Sequence, residues 1–234
     1  NGEIINADSM QVYKQLKILS ARPDQKKPQK ISHHLYGFHD AKKNFSTGKW
    51  LKLVLEKIQK IKKRKKTPIL VGGTGLYFKA LIDGLVKIPN IPAKIRNQIR
   101  GLQSKIGQDM FYKKLLKLDP VSKNKINSTD THRSLRAYEV KFYTQKSIHE
   151  WYKNTKSNFQ NSDFYKIYID FPRMELIDRI NQRSKEMIKN GAIKEVKNFI
   201  KLNVRKDKSV NKAIGINEIR QYLNNQKELE EIIE

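Results

Sequence analysis

Apolar positions along this chain repeat with two periods, and the change from one to the other divides it into segments. Ile4 and Ile5 lie in a short run, 3–6, that predicts a buried strand. Residues 13–30 are polar, and Pro23 and Pro28 block a helix there, so a loop is expected. Ser46 or Thr47 can then cap a helix whose apolar positions, Trp50, Leu51, Val54, Leu55, Ile58 and Ile61, recur at helical spacing. Pro68 introduces the continuous apolar run "ILVGG", a strand leading into glycines, and 76–84 reads as a helix closed by Gly84. A strand, a helix, a second strand, a glycine turn and a helix predict a parallel sheet covered by helices.

The grammar then changes. A Pro-containing connector, 85–92, is followed by 93–160, where every patterned piece has period 3.6: 93–106, 108–118, 129–143 and 148–153. Strand character returns at "YKIYIDF", 165–171. Helices are predicted at 174–189, stopped by Asn190-Gly191, at 192–202, and at 211–223 with Gly215 inside. An all-helical block between two α/β blocks predicts one α/β core, 1–91 with 164–234, interrupted by a helical insertion, 92–163.

Composition narrows the class. The 234 residues carry a net charge of +26 and no cysteine, which excludes disulfides and thiolate metal sites. No apolar run reaches the roughly 18 residues of a membrane-spanning helix. A soluble, monomeric protein of the cytoplasm is expected. A positive field favours a polyanion, nucleic acid first. Lysines outnumber arginines and Asn and Ile are frequent, a pattern that drift in an A+T-rich genome also produces. The chain opens on Asn1 and stops inside the helical pattern "KELEEIIE", so a piece of a longer protein is expected.

Chemistry-bearing residues gather at strand ends. In "EIINADSMQVYK" the strand delivers Asp8, Ser9 and Gln11 to one place, where Asp8 could be a turn residue, a metal ligand or a proton acceptor. "VGGTGLYFKAL" sets Gly72, Gly73 and Thr74 where a strand feeds a helix, a place where backbone N–H groups favour an anion. Alone, either stretch is an ordinary turn; together they lie at carboxyl ends of parallel strands, where open α/β sheets bind ligands. Arg133 and Arg136, at i and i+3, can straddle a phosphate backbone or form a solvated basic face. Of Arg179 and Arg183, at i and i+4, one could reach a phosphate over the sheet edge, against a surface helix paired to Glu175, Asp178 or Glu186. Gly215 inside a helical pattern implies a close ligand or a close helix. His33-His34 has no metal-spacing partner.

The stretches "INADSMQVYK", "HHL", "PILVGGTGLYFKAL", "DTHRSLRAYEV" and "RINQRSKEMIKNGAIKEV", in this order, resemble the tRNA dimethylallyltransferase (tRNA isopentenyltransferase) family over nearly the whole chain. The resemblance implies a core like that of P-loop nucleoside-phosphate kinases, with helices on both faces of a parallel sheet and an all-helical insertion that grips the anticodon stem-loop. It implies transfer of a dimethylallyl group from dimethylallyl diphosphate to N6 of the adenine 3′ to the anticodon, with Mg²⁺ as cofactor.

Matched by motif, Asp8 is the implied general base and a direct or indirect Mg²⁺ ligand, Thr74 a catalytic contact, and Arg183 a cation on the diphosphate. Gly72 and Gly73 lie on the diphosphate side. The implied tRNA-binding residues are Asp8, Ser9, Met10, Gln11, Thr74, Arg96, His132, Arg133, Ser134, Leu135, Arg136, Lys212, Ala213, Ile214, Gly215, Ile216 and Asn217. Two departures stand out. The family's phosphate loop, GxxxxGK[ST], and its first strand are expected upstream of Asn1, and "AIGIN" lacks the family's arginine and aromatic. A chain without that loop is expected to bind tRNA rather than to catalyse. The alternatives are a P-loop nucleotide kinase, an adenylate isopentenyltransferase acting on free nucleotide, or a binding-only fragment; the long basic insertion argues against free nucleotide.

Overall fold

The computed structural model describes residues 1–23 and 31–233. The loop expected through Pro28 lies partly outside them. Three parallel strands, β1 (Gly2–Asn6), β2 (His33–His34) and β3 (Thr67–Val71), form a sheet in the order β2-β1-β3. β1 is central, with Ile4 opposite both His33 and Ile69.

Helix α1 (Thr47–Lys63) forms where its apolar spacing predicts, and the Ser46 hydroxyl accepts the Lys49 N–H at its start. It packs against β1 and β3 with Trp50, Val54 and Ile61 fully buried. The basic tract at its end is held by one carboxylate. Glu3 lies buried in the sheet, with Arg64 Nη2 2.7 Å, His34 Nε2 2.6 Å and Lys66 Nζ 3.2 Å from its oxygens. Arg64 first, then His34 and Lys66, hold the Glu3 carboxyl down to about 2. Helix α2 (Gly75–Ile82) follows β3 directly, as strand–turn–helix patterning requires.

The chain divides into two compact units, residues 1–80 with 161–234, and 81–160. In the second, α3 (Ala93–Leu118) breaks at Gly107, whose φ of 76° is left-handed. Helices α4 (Thr131–Thr144) and α5 (Ile148–Tyr152) follow. Leu115, Ile126, Ala137, Val140 and Ile148 make this unit's core. Asp119 is buried beneath it and accepts the hydroxyls of Ser122 and Ser147, which knits the α3 end to the α5 start.

In the first unit, α6 (Arg173–Lys189), α7 (Ala192–Lys201) and α8 (Ile216–Leu223) close the chain. Two expectations fail here. Residues 164–171 form no strand, and Tyr165, Ile167, Tyr168 and Ile169 are all at least 76% exposed. β propensity is there, but a strand needs a neighbour's N–H and C=O groups, and among the described residues β3 pairs with β1 alone. Ile69 and Val71 of β3 are likewise 44% and 47% exposed. The helix expected over 211–223 is two pieces, a 3₁₀ turn at Ser209–Lys212 and α8. Gly215 caps α8 at φ 93°, and the Glu218 carboxylate accepts its N–H at 2.9 Å. A left-handed residue ends helical bonding, so the glycine lies outside the helix it was expected to interrupt.

Candidate active site and nucleic-acid interface

The carboxyl ends of β1 and β3 meet. The Ala7 N–H donates to Val71 O at 2.8 Å, Thr74 N–H to Ala7 O at 3.2 Å, and Ser9 N–H to Thr74 Oγ1 at 2.9 Å. Thr74 therefore pins the Asp8 turn with its backbone and its hydroxyl. Gly72 permits the approach: a Cβ there would lie 2.2 Å from the Ala7 carbonyl carbon. Gly73 and Gly75 face open space, so packing does not explain them.

Asp8 Oδ1 accepts the N–H groups of Met10 (2.7 Å) and Gln11 (3.2 Å), an Asx turn that sets the side chain's direction. Among the described residues Oδ2 has no hydrogen-bond partner. Trp50 and Tyr77 stack beneath with ring centroids 4.2 Å apart. Burial first, with the Tyr13 and Asp8 charges, drives the Tyr77 phenol well above its ordinary value; burial and then Asp8 raise that of Tyr36. Two neutral phenols thus share the neighbourhood of the Asp8 carboxylate.

Two functional side chains escape a reading by sequence. Asn6 is fully buried. Its Oδ1 accepts the Asp8 N–H at 2.8 Å, and its Nδ2 donates to Asp8 O and Leu35 O, each at 3.0 Å. The Trp50 indole N–H donates to the Asn6 carbonyl at 2.9 Å. Glu195, far along the chain on α7, accepts the backbone N–H groups of Lys17, Ile18 and Leu19 at 2.7–3.0 Å. That loop in turn supplies Ser20 O, which receives Gln11 Nε2 at 2.8 Å. A polar residue at the end of a buried run was the only local signal for Asn6; for Glu195 there was none.

Arg183 is exposed on α6, a helix with no buried residue. Among the described residues no hydrogen bond or ion pair joins it to Asp8 or to the glycine turn. Arg179, one turn earlier, lies over the Phe171 ring at 4.2 Å rather than beside an acid.

The expected tRNA residues divide by exposure. At 212–217, Lys212, Ile214 and Asn217 point outward, whereas Ala213 and Ile216 are buried with Val12, Leu16 and Phe199. Lys212 and Asn217 also line a cavity of about 520 Å³ with Lys206, Asn211 and Arg220. On α4, His132 and Arg133 are exposed and Ser134 is buried. Arg133 pairs with its own N-cap, Asp130, whereas Arg136 faces the buried Glu139. The i, i+3 arginines thus have separate partners. His34 is occupied by Glu3, and among the described residues no three His, Asp or Glu cluster as a metal cage.

A parallel α/β core with a carboxylate at the strand ends, and a separate basic helical unit, fit one class: group-transfer enzymes that act on nucleic acid. Comparison with known proteins narrows the class. The family model described as IPP transferase matches residues 11–234. The chain is 59% identical over 230 residues to the tRNA dimethylallyltransferase of Pelagibacter ubique, covering 98% of this chain and 74% of that protein. It is 43% identical to the tRNA dimethylallyltransferase of Rickettsia massiliae, covering all of this chain and 64% of that one. A crystal structure of the full-length tRNA isopentenylpyrophosphate transferase of Bacillus halodurans matches with TM-score 0.64 and 31% identity, over all of this chain and 72% of that one. A eukaryotic dimethylallyltransferase captured acting on tRNA matches with TM-score 0.81 and 26% identity, over all of this chain and 59% of that one. The chain belongs to the IPP transferase family, the tRNA dimethylallyltransferases.

Proposed function

We propose that the Asp8 site moves a dimethylallyl group from dimethylallyl diphosphate to N6 of the adenine next to the tRNA anticodon on its 3′ side. The observation that carries this is the union of the Asp8 turn with the glycine turn through Thr74. It supports a reading in which the Asp8 carboxylate takes a proton beside a backbone suited to an anion.

An exocyclic adenine amine is a poor nucleophile, because its lone pair is delocalised into the ring. Asp8, held by the Met10 and Gln11 N–H groups through Oδ1, presents Oδ2 to take the N6 proton as the new C–N bond forms. The electron pair of the breaking C–O bond leaves with the diphosphate, toward Gly72, Gly73 and the Arg183 side. Thr74 keeps the two turns in register. Ser9, Met10 and Gln11 wall the base pocket. An unpaired loop base swings out for about a few kcal/mol, which suits an acceptor in the anticodon loop. Asp8 would hold Mg²⁺ directly or through water, a donor set that fits an ion usually held by one or two carboxylates plus substrate phosphates, and the bound ion would supply charge neutralisation for the diphosphate.

In the helical unit Arg96, His132, Arg133 and Arg136, with backbone from Ser134 and Leu135, hold the stem by its phosphates; Lys212, Ile214 and Asn217 add the outward side of the 212–217 turn.

Labelled dimethylallyl diphosphate offered with tRNA and AMP together to the full-length protein, phosphate loop included, tests the reading. Label is expected in tRNA alone. Label in AMP, or phosphoryl transfer when ATP is supplied instead, overturns it. Asp8→Asn is expected to lower kcat by about 10²–10⁴-fold with tRNA affinity little changed; full turnover would remove Asp8 from the mechanism.

A further inference from the structure

Glu195 stands on α7 and spends both carboxylate oxygens on one stretch of distant backbone. Oε2 accepts the N–H groups of Lys17 at 2.7 Å and Ile18 at 2.9 Å. Oε1 accepts that of Leu19 at 3.0 Å and shares that of Ile18 at 3.1 Å. Three successive N–H groups aimed at one point make a concavity for an anion, and here α7 supplies the anion. Adhesion alone does not call for it, because Ile18 and Leu19 already pack against the cluster of Ala192, Val196 and Ile219.

What the carboxylate adds is direction. A trans peptide points its N–H and its C=O opposite ways, so holding the N–H groups of Ile18 and Leu19 also aims the carbonyls of Lys17 and Ile18. Those carbonyls receive the Arg22 N–H at 3.0 Å and the Ala21 N–H at 2.9 Å, which closes a turn over 17–22. Ala21 lies at φ 48°, a left-handed backbone that a Cβ disfavours, so bonds rather than local preference hold the turn. Arg22 ties its far end, donating from Nη1 to Tyr13 O at 2.8 Å.

The closed turn presents two carbonyls to Gln11. Ser20 O receives Gln11 Nε2 at 2.8 Å and Ala21 O receives it at 3.4 Å. The Gln11 backbone is tied as well, its N–H to Asp8 Oδ1 and its C=O to the Gly37 N–H at 2.8 Å. With both amide N–H groups taken, the side chain cannot turn end for end without setting its oxygen against two carbonyls. One residue thus joins the Asp8 turn to a loop whose shape is set from α7.

We propose that Glu195 is a positioning residue for the acceptor base: it sets the 17–22 turn, and the turn sets the Gln11 amide. The proposal rests on the reading given above, in which Ser9, Met10 and Gln11 wall the base pocket.

The test separates the base from the rest of the RNA. Two labelled anticodon stem-loops, one with adenine at the acceptor position and one abasic there, are titrated by fluorescence anisotropy against the full-length protein, with a thermal melt of each variant. In the unsubstituted protein the adenine is expected to tighten binding about tenfold, the worth of one seated base. Glu195→Gln sets an NH₂ group where backbone N–H donors need an acceptor. It is expected to erase most of the adenine advantage and to leave the abasic loop bound as before. Added to Gln11→Leu, it is expected to change neither affinity further, because a residue acting through Gln11 has nothing left to position. Equal weakening of both RNAs, losses that add in the double variant, or an unchanged adenine advantage in Glu195→Gln overturns the proposal and leaves Glu195 a brace of the fold alone. If Glu195→Gln melts below the assay temperature, Glu195→Asp, which keeps the charge and shortens the reach, is read with the same two RNAs. An adenine loop bound no tighter than the abasic one by the unsubstituted protein overturns the base-pocket reading, and this proposal with it.

Discussion

Asn6 spends every arm of its amide on the turn that carries Asp8. It receives the Asp8 N–H and donates to the carbonyls of Asp8 and Leu35. Asn6→Ala would leave those groups unpaired in a buried place, at a cost of about 2 kcal/mol. A urea-unfolding curve measures this, and an unchanged midpoint would show that the turn holds itself. In the sequence, Asn6 reads only as the polar residue that stops a strand, because a side chain's partners are invisible until the backbone around it is placed. Asp8 and Thr74 were legible as types, a carboxylate and a hydroxyl at strand ends. Their contact through Ser9 was not.

At the scale of elements, the turn from β3 into α2 separates two glycines by their surroundings. Gly72→Ala places a methyl 2.2 Å from backbone of the Ala7–Asp8 link and must displace it. Gly73→Ala meets nothing within 4 Å. Thermal melts should therefore show Gly72→Ala clearly destabilised and Gly73→Ala near the unsubstituted chain, with the latter losing diphosphate affinity if that face is the anion side. Equal melting points would mean the β1–β3 approach tolerates a side chain. Gly215→Ala is expected to cost about 1–2 kcal/mol, since the left-handed backbone penalises a Cβ and Leu19 Cδ2 lies 2.7 Å from it. Helix spacing located α1, α4, α6 and α7 to within a few residues, because a helix satisfies its own backbone. The run 165–171 shows the opposite case, since a strand depends on a neighbour that its own residues do not specify.

Across the whole molecule, charge sets behaviour. Glu3 has an ordinary carboxyl value of 4.5 and is held at about 2 in the fold. A folded-state pKa below the unfolded one adds stability that is complete above about pH 4.5 and disappears as pH falls toward 2. Melting temperature is expected to drop through that window, and Glu3→Gln should flatten the drop while lowering stability at neutral pH. An identical acid limb in the variant would assign the transition to other carboxylates. The net charge of +26 makes RNA binding steeply salt-dependent. Compositional drift explains scattered lysines. It does not explain Arg100 and Arg136, from two helices, both facing the buried Glu139.

By itself the sequence determined the periodic elements, the parallel strand grammar, the basic helical block and the family motifs, all of which depend on residues a few positions apart. Tertiary structure alone decided that Ser9 meets Thr74 across 65 positions and that Glu195 braces Lys17 across 178. It also decided that 165–171 finds no strand partner among the described residues and that Arg136 faces Glu139 while Arg133 pairs with Asp130. Local propensity is fixed by one turn of chain. The satisfaction of buried polar groups and the pairing of strands depend on which distant segments the core brings together.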